Sequence, residues 1–163
     1  MDLDKQFLKM KEMKKASYGR LVSLQKRFFD EWALENLARI GYTDFKIGYF
    51  AILMNIGLEG TTNNELAEKV CVTKQASSKV IKELEEYGLV TSILDETDSR
   101  KVLIKLTKRG KEFVVKATEE VYKKMGEYEK LVGKENFRIA METMYRIMQY
   151  DMDNWQEKNK GKK

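Results

Sequence analysis

Apolar residues recur in steps of three and four through the first quarter of the chain: Phe7, Met10, Tyr18, Leu21, Leu24, Phe28 and Trp32 stand between charged neighbours. That spacing stacks side chains on one side of a helix and predicts a continuous helix over 4–40, stopped at Gly41. A second and more apolar helix is predicted over 44–56, ending at Gly57. Proline is absent, so boundaries must come from glycines, caps and changes of period. The middle of the chain supplies such signals. Thr62-Asn63-Asn64-Glu65 reads as a capping box that opens a short helix to about residue 70, with Leu66, Ala67 and Val70 inward. Thr73 caps a second helix running to Tyr87, where Gly88 supplies a left-handed stop. Two short helices joined by about three residues form a helix-turn-helix.

Beyond Gly88 the apolar period changes from helical to two. Residues 89–94 and 102–106 read as strands around the turn-rich stretch 95–99, a hairpin attached to the helix-turn-helix. Thr107 then caps a helix to about residue 132, with Val114, Ala117, Val121, Tyr128 and Leu131 on one side, and Gly133 breaks it. A last helix over 135–155 carries Phe137, Met141, Met144, Met148, Met152 and Trp155 at steps of three and four. A small core cannot cover all of that seam, so it packs either within the chain or against a second copy. The fold class expected is mainly α with a small β-hairpin wing: a winged helix-turn-helix flanked by N- and C-terminal dimerisation helices. We expect one domain over 1–163, with dimerisation helices at 1–40 and 111–163 and a winged-helix core at 41–110.

Composition narrows the chemistry. At 163 residues the chain can bury a core without a covalent staple. It holds one cysteine, Cys71, and no histidine, which excludes an intrachain disulfide and a zinc site of the Cys/His type and suggests a reducing compartment. No apolar run suits a signal peptide or a spanning helix, so a cytoplasmic protein without a membrane partner is expected. The usual neutral-pH acid or base is missing, and no nucleophile elbow or phosphate-cradling glycine loop is present. We therefore expect no catalytic residue, no metal ligand, no cofactor and no enzymatic activity. Cys71 falls in the turn between the two short helices, where packing suits a small side chain. The formal charge of +5 is modest and dispersed. Lys158, Lys160, Lys162 and Lys163 form a basic tail, read as a frayed terminus or as an arm for DNA.

The helix after Thr73 is the candidate reader of nucleic acid. On a helical wheel Ala76, Ser77, Val80, Ile81 and Leu84 share the core arc, while Gln75, Ser78, Lys79 and Lys82 lie opposite, with Lys74 beside them. Amide, hydroxyl and ammonium groups match the edges of the major groove and its phosphates. In the hairpin, Asp98 and Arg100 are on one side of an extended strand, close enough for a bidentate pair. An arginine so held can enter a narrow, A·T-rich minor groove. Lys101 and Lys105 read as phosphate contacts or as protection of a strand edge.

The stretch LAEKVCVTKQASSKVIKELEEYGLVTSILDETDSRKVLIKLTKRG, residues 66–110, resembles the winged helix of the MarR family. It includes an Asp-x-Arg wing at Asp98 to Arg100 and a Leu-Thr-x-x-Gly exit at Leu106, Thr107 and Gly110. The flanking helices match by pattern. The resemblance implies a homodimer that places two recognition helices in successive major grooves of a palindromic operator in double-stranded DNA. It also implies repression relieved by a small aromatic ligand. On this reading Thr73, Lys74, Gln75, Ser78, Lys79, Lys82, Asp98, Arg100 and Lys101 contact DNA. Phe28, Trp32, Tyr42, Phe45 and Tyr49 are the ligand candidates, each equally explained as core. Two departures stand out: Ser92 occupies a position that is commonly basic, and Ser77 one that is often aliphatic. The alternative function is a winged-helix dimer that binds protein and not DNA.

Overall fold

A computed structural model describes residues 2–13 and 17–159. Residues 14–16 of the expected first helix, and Lys160, Lys162 and Lys163 of the basic tail, lie outside them. The elements in chain order are α1 (Leu3–Met13), α2 (Tyr18–Arg39), α3 (Gly48–Leu53), β1 (Thr61–Thr62), α4 (Asn63–Lys69), α5 (Lys74–Glu86), β2 (Val90–Leu94), β3 (Val102–Leu106), α6 (Lys108–Val132) and α7 (Lys134–Asn159). Two compact units comprise them, 1–47 and 48–163.

In the first unit the helix expected over 4–40 is instead two helices. Ser17 is extended, with φ −66° and ψ 135°, and stands as the N-cap of α2. Ser17 makes no side-chain cap bond, so its extended backbone, followed by Gly19, a weak helix former, interrupts the apolar period. Along α2 the charged face is laced by i,i+4 pairs, Arg27 to Glu31 at 2.9 Å and Lys26 to Asp30. Ala33 and Leu37 are buried, whereas Phe7, Met10, Tyr18, Leu21 and Phe28 stay exposed. The helix ends in a Schellman motif, with Tyr42 N–H donating to Leu37 C=O and Gly41 N–H to Ala38 C=O.

The second unit holds the helix-turn-helix and its hairpin. The helix expected over 44–56 is shorter, six residues of α3, because the chain leaves it through a turn closed at Gly57 and Thr61. Thr62 and Glu65 form the expected capping box: Glu65 N–H donates to Thr62 Oγ1 at 3.3 Å, and Thr62 N–H to Glu65 Oε2 at 2.8 Å. The hairpin gains a strand that periodicity did not reveal, since β1 pairs with β3 to give an antiparallel sheet of order β1-β3-β2. Tyr49, Ile52, Leu53, Leu66, Leu84, Leu89, Ile104 and Phe113 are buried, drawing α3, α4, α5, the sheet and α6 onto one core. Phe50 meets Phe113 with ring centroids 5.7 Å apart, tying α3 to α6. Of the apolar side expected on α6, Ala117 is buried but Leu131 is exposed, because the last turn reaches past the core. Helix α7 has no buried residue.

Candidate nucleic-acid interface

The candidate reading helix starts where a threonine caps it. Thr73 is extended and its Oγ1 accepts from Ala76 N–H at 3.2 Å, satisfying one of the free amides of the first turn. From there Ser77, Ile81 and Leu84 point into the core. Lys74, Gln75, Lys79 and Lys82 are exposed, and Ser78 is half-buried. Ala76, placed in the core arc by the wheel, is exposed instead. It lies in the first turn, which projects beyond the residues that α5 packs on. Among the described residues Lys74, Lys79 and Lys82 form no ion pair, and Lys74, Gln75, Ser78 and Lys79 place cationic and hydrogen-bonding groups together on the N-terminal half of the helix. Glu83 and Glu85 face other elements. Tyr49 Oη donates to Glu83 Oε2 at 2.6 Å, and Ser92 Oγ donates to Glu85 Oε1, pinning α5 to α3 and to the base of the hairpin.

The hairpin tip is built by two aspartates. Asp95 Oδ1 accepts from Thr97 N–H, Thr97 Oγ1 and Asp98 N–H, at 2.7, 2.6 and 3.2 Å, and so winds the turn. Those bonds, Thr97's hydroxyl first, hold the Asp95 carboxyl below its ordinary range. Asp98 in turn grips Arg100: Nε donates to Oδ1 at 3.1 Å and Nη2 to Oδ2 at 3.4 Å, while Arg100 N–H also donates to Oδ1. The Arg100 side chain bonded there depresses the Asp98 carboxyl pKa. The guanidinium is nevertheless 89 % exposed, an oriented cation presented to solvent by a carboxylate that is 25 % exposed. Lys101 is exposed beside it, and Lys105 is half-buried on β3.

The remaining candidates fall in both units. In the first unit Phe28 is exposed, Trp32 and Tyr42 are half-buried, and Phe45 is buried with its ring set edge-on to Tyr42 at 6.1 Å. In the second unit Tyr49 is 2 % exposed, and its hydroxyl is already engaged by Glu83. Cys71 stands in the helix-turn-helix turn with φ +54°, and burial pushes its thiol pKa up, away from reactivity. Sequence reading missed Asn63, whose Nδ2 donates to Ser78 Oγ at 2.6 Å across the helix-turn-helix. The asparagine pair after Thr62 was the signal, since the capping box itself needs only Thr62 and Glu65.

Residues 47–102 match the model of the MarR family. The HTH-type transcriptional regulator FarR of Neisseria gonorrhoeae is 26 % identical over 80 residues, which are 49 % of this chain and 55 % of that protein, so the match spans about half of the relative's length. Among solved structures, the transcriptional regulator SlyA superposes with a TM-score of 0.72 at 17 % identity, covering 84 % of this chain and 95 % of that one. CouR from Rhodococcus jostii, solved bound to p-coumaroyl-CoA, gives 0.69 at 22 % identity, with coverages of 82 % and 92 %. A SlyA-like regulator from Listeria monocytogenes gives 0.73 at 15 % identity, with coverages of 87 % and 93 %. Residues 47–102, which hold the capped helix α5 and the Asp-x-Arg hairpin, are thus similar to the MarR family, and the chain has the fold of the solved structures named above.

Proposed function

We propose that the protein is a sequence-specific regulator of transcription that binds double-stranded DNA as a homodimer. Thr73, Lys74, Gln75, Ser78, Lys79 and Lys82 enter the major groove, Arg100 held by Asp98 enters the minor groove, and Lys101 neutralises phosphate. The observation that carries this reading is the pairing of an exposed, lysine-lined helix face with an arginine that is 89 % exposed yet held in place by a carboxylate. A side chain fixed before binding loses less freedom on entering a groove. The dimer rests on α7, where Met141, Met144 and Met148 form an exposed seam. In this proposal 1–163 works as one domain, with 1–40 and 111–163 serving dimerisation and 41–110 serving DNA. It acts within the cytoplasm, on a palindromic operator.

A mobility-shift titration at two salt concentrations tests the proposal. With six or more phosphates neutralised per dimer, affinity should fall by about a thousandfold between 50 and 200 mM salt. Arg100→Ala should weaken operator binding by about tenfold or more, most at sites with A·T-rich flanks. No detectable DNA binding at low salt would shift the function to a protein partner. For regulation we propose repression relieved by a small aromatic ligand, as CouR was solved with an aromatic acyl thioester. Phe28, Trp32, Tyr42, Phe45 and Tyr49 are its candidate contacts. Because Phe45 and Tyr49 are buried, such a ligand must displace packed side chains to reach them. Release of operator DNA by an aromatic acid, absent in Tyr49→Ala, is the expected readout.

A further inference from the structure

The helices α4 and α5 begin on the same kind of cap and differ at its third position. Thr62 and Thr73 are both extended N-caps whose Oγ1 accepts the amide three residues on. In α4 that third residue is Glu65, and its carboxylate accepts from Thr62 N–H at 2.8 Å, which closes the capping box. In α5 it is Ala76, whose amide donates to Thr73 Oγ1 at 3.2 Å but whose side chain has nothing to offer Thr73 in return. The start of α5 therefore forgoes a bond that α4 makes. Ala76 gains no burial in exchange, being exposed next to exposed Gln75 and one turn from exposed Lys79. Val72, just ahead of the cap, is 36 % exposed. The tip of a helix that presents lysine, glutamine and serine thus holds apolar groups in water.

A recognition helix meets base edges with its N-terminal residues. Among the groups on those edges in the major groove is one that is apolar, the C5-methyl of thymine, and alanine is a side chain that matches it. We propose that Ala76 is a specificity-determining residue that packs its methyl against the C5-methyl of a thymine in each half-site. The inference rests on the DNA-binding function proposed above and deepens it by naming a base that the operator must contain. Contact sheds water from both methyl groups, whereas cytosine at the same place offers no methyl and leaves Ala76 against a polar edge. A glutamate here would close the capping box but would set a carboxylate among the phosphates.

The test measures affinities for an operator selected from random DNA in which each thymine is replaced in turn by deoxyuridine. That change removes the C5-methyl and leaves every hydrogen-bonding group. For the wild-type protein, deoxyuridine at one thymine of each half-site should weaken binding about fourfold per half-site, the effect of one buried methyl. Ala76→Gly should bind the thymine operator more weakly by about the same factor. It should no longer distinguish thymine from deoxyuridine at that position, while the effects of other thymines persist. Glycine also lowers helix propensity, so a second variant separates reading from folding. Ala76→Gln supplies the missing half of the capping box, and it should raise the thermal midpoint yet lose the preference for the same thymine. An alanine that served only the helix would give the higher midpoint with the thymine preference intact. Wild-type binding that is indifferent to deoxyuridine at every thymine overturns the proposal, and so does a methyl effect that stays at full size in either variant. A wild-type protein without affinity for any duplex at low salt would instead remove the function on which the inference rests, a failure visible before any base is replaced.

Discussion

Cys71 is the single non-glycine residue with positive φ among those described, and the hydrogen bonds around it explain why. Val72 N–H donates to Ala67 C=O and Cys71 N–H to Glu68 C=O, the two bonds of a Schellman motif closing α4. Gly88 fills the same place after α5, where Leu89 N–H reaches Leu84 C=O, and does so without the side-chain clash that a left-handed residue otherwise suffers. We therefore expect Cys71→Gly to raise stability by about 0.5 kcal/mol in urea denaturation, strain relief being partly offset by greater freedom of the unfolded chain. Ser77 carries a different cost. Its side chain is fully buried, and its Oγ has no partner among the described residues. Ser77→Ala should stabilise by about 1 kcal/mol and leave operator affinity unchanged, since the hydroxyl faces the core and not the groove. The wing and α4 carboxylates set the acid limit. Thr62 N–H holds Glu65, the Thr97 hydroxyl holds Asp95 and Arg100 holds Asp98, each below its ordinary pKa. Depressed folded values mean stabilisation that is complete above the unfolded pKa near ~4 and is lost as pH falls through the folded values. Thermal midpoints should thus be level from about pH 6 to 8, where no histidine titrates, and fall below about pH 4. Asp98→Asn should soften that fall.

The hairpin and α6 meet through one threonine and one glycine. Thr107 Oγ1 accepts from Gly110 N–H at 3.0 Å and donates to Gly88 C=O at 2.7 Å, so one hydroxyl caps α6 and joins it to the end of α5. Gly110 lies so near that junction that an added Cβ would stand 1.9 Å from the Leu89 carbonyl oxygen. The Leu-Thr-x-x-Gly exit is therefore a packing requirement: cap, then close approach of helix to strand. Gly110→Ala should destabilise by about 2 kcal/mol or more despite alanine's better helix propensity, because backbone must move to admit the methyl. Unfolding curves against those of Gly126→Ala, where nothing lies within 4 Å of the added carbon, isolate the steric effect. Caps and stops of this kind were readable in advance at Thr62, Thr73, Gly88, Thr107 and Gly133, since each acts over four or five residues. Strand β1 was not. It is two residues long and exists only through pairing with Leu103 and Ile104, some forty positions away.

Helix α7 runs 26 residues without a buried side chain. Phe137, Met141, Met144, Met148, Met152 and Trp155 form a seam at coiled-coil spacing, and α1 and α2 expose Phe7, Met10, Leu21 and Phe28 in the same manner. A lone chain leaving this much apolar surface in water is the physical argument for the proposed second copy. The double variant Met144→Glu, Met148→Glu should keep its helix content, because both positions are solvent-facing, and should sediment as a monomer. Its operator affinity should fall by at least about a hundredfold as two linked half-site contacts become independent. A dimer that persists in that variant would move the interface elsewhere.

Local chemistry wrote the helix-turn-helix, the two hairpin strands and the glycine stops into the order of residues, because capping, left-handed turns and side-chain alternation all act within a few positions. The Asp98 to Arg100 pair was legible for the same reason. Contacts between distant residues were decided only by folding. The Tyr49 hydroxyl committed to Glu83, the added strand β1 and the amide of Asn63 reaching Ser78 all depend on which elements come to lie together. A hydrogen bond between segments leaves no period in the chain that makes it.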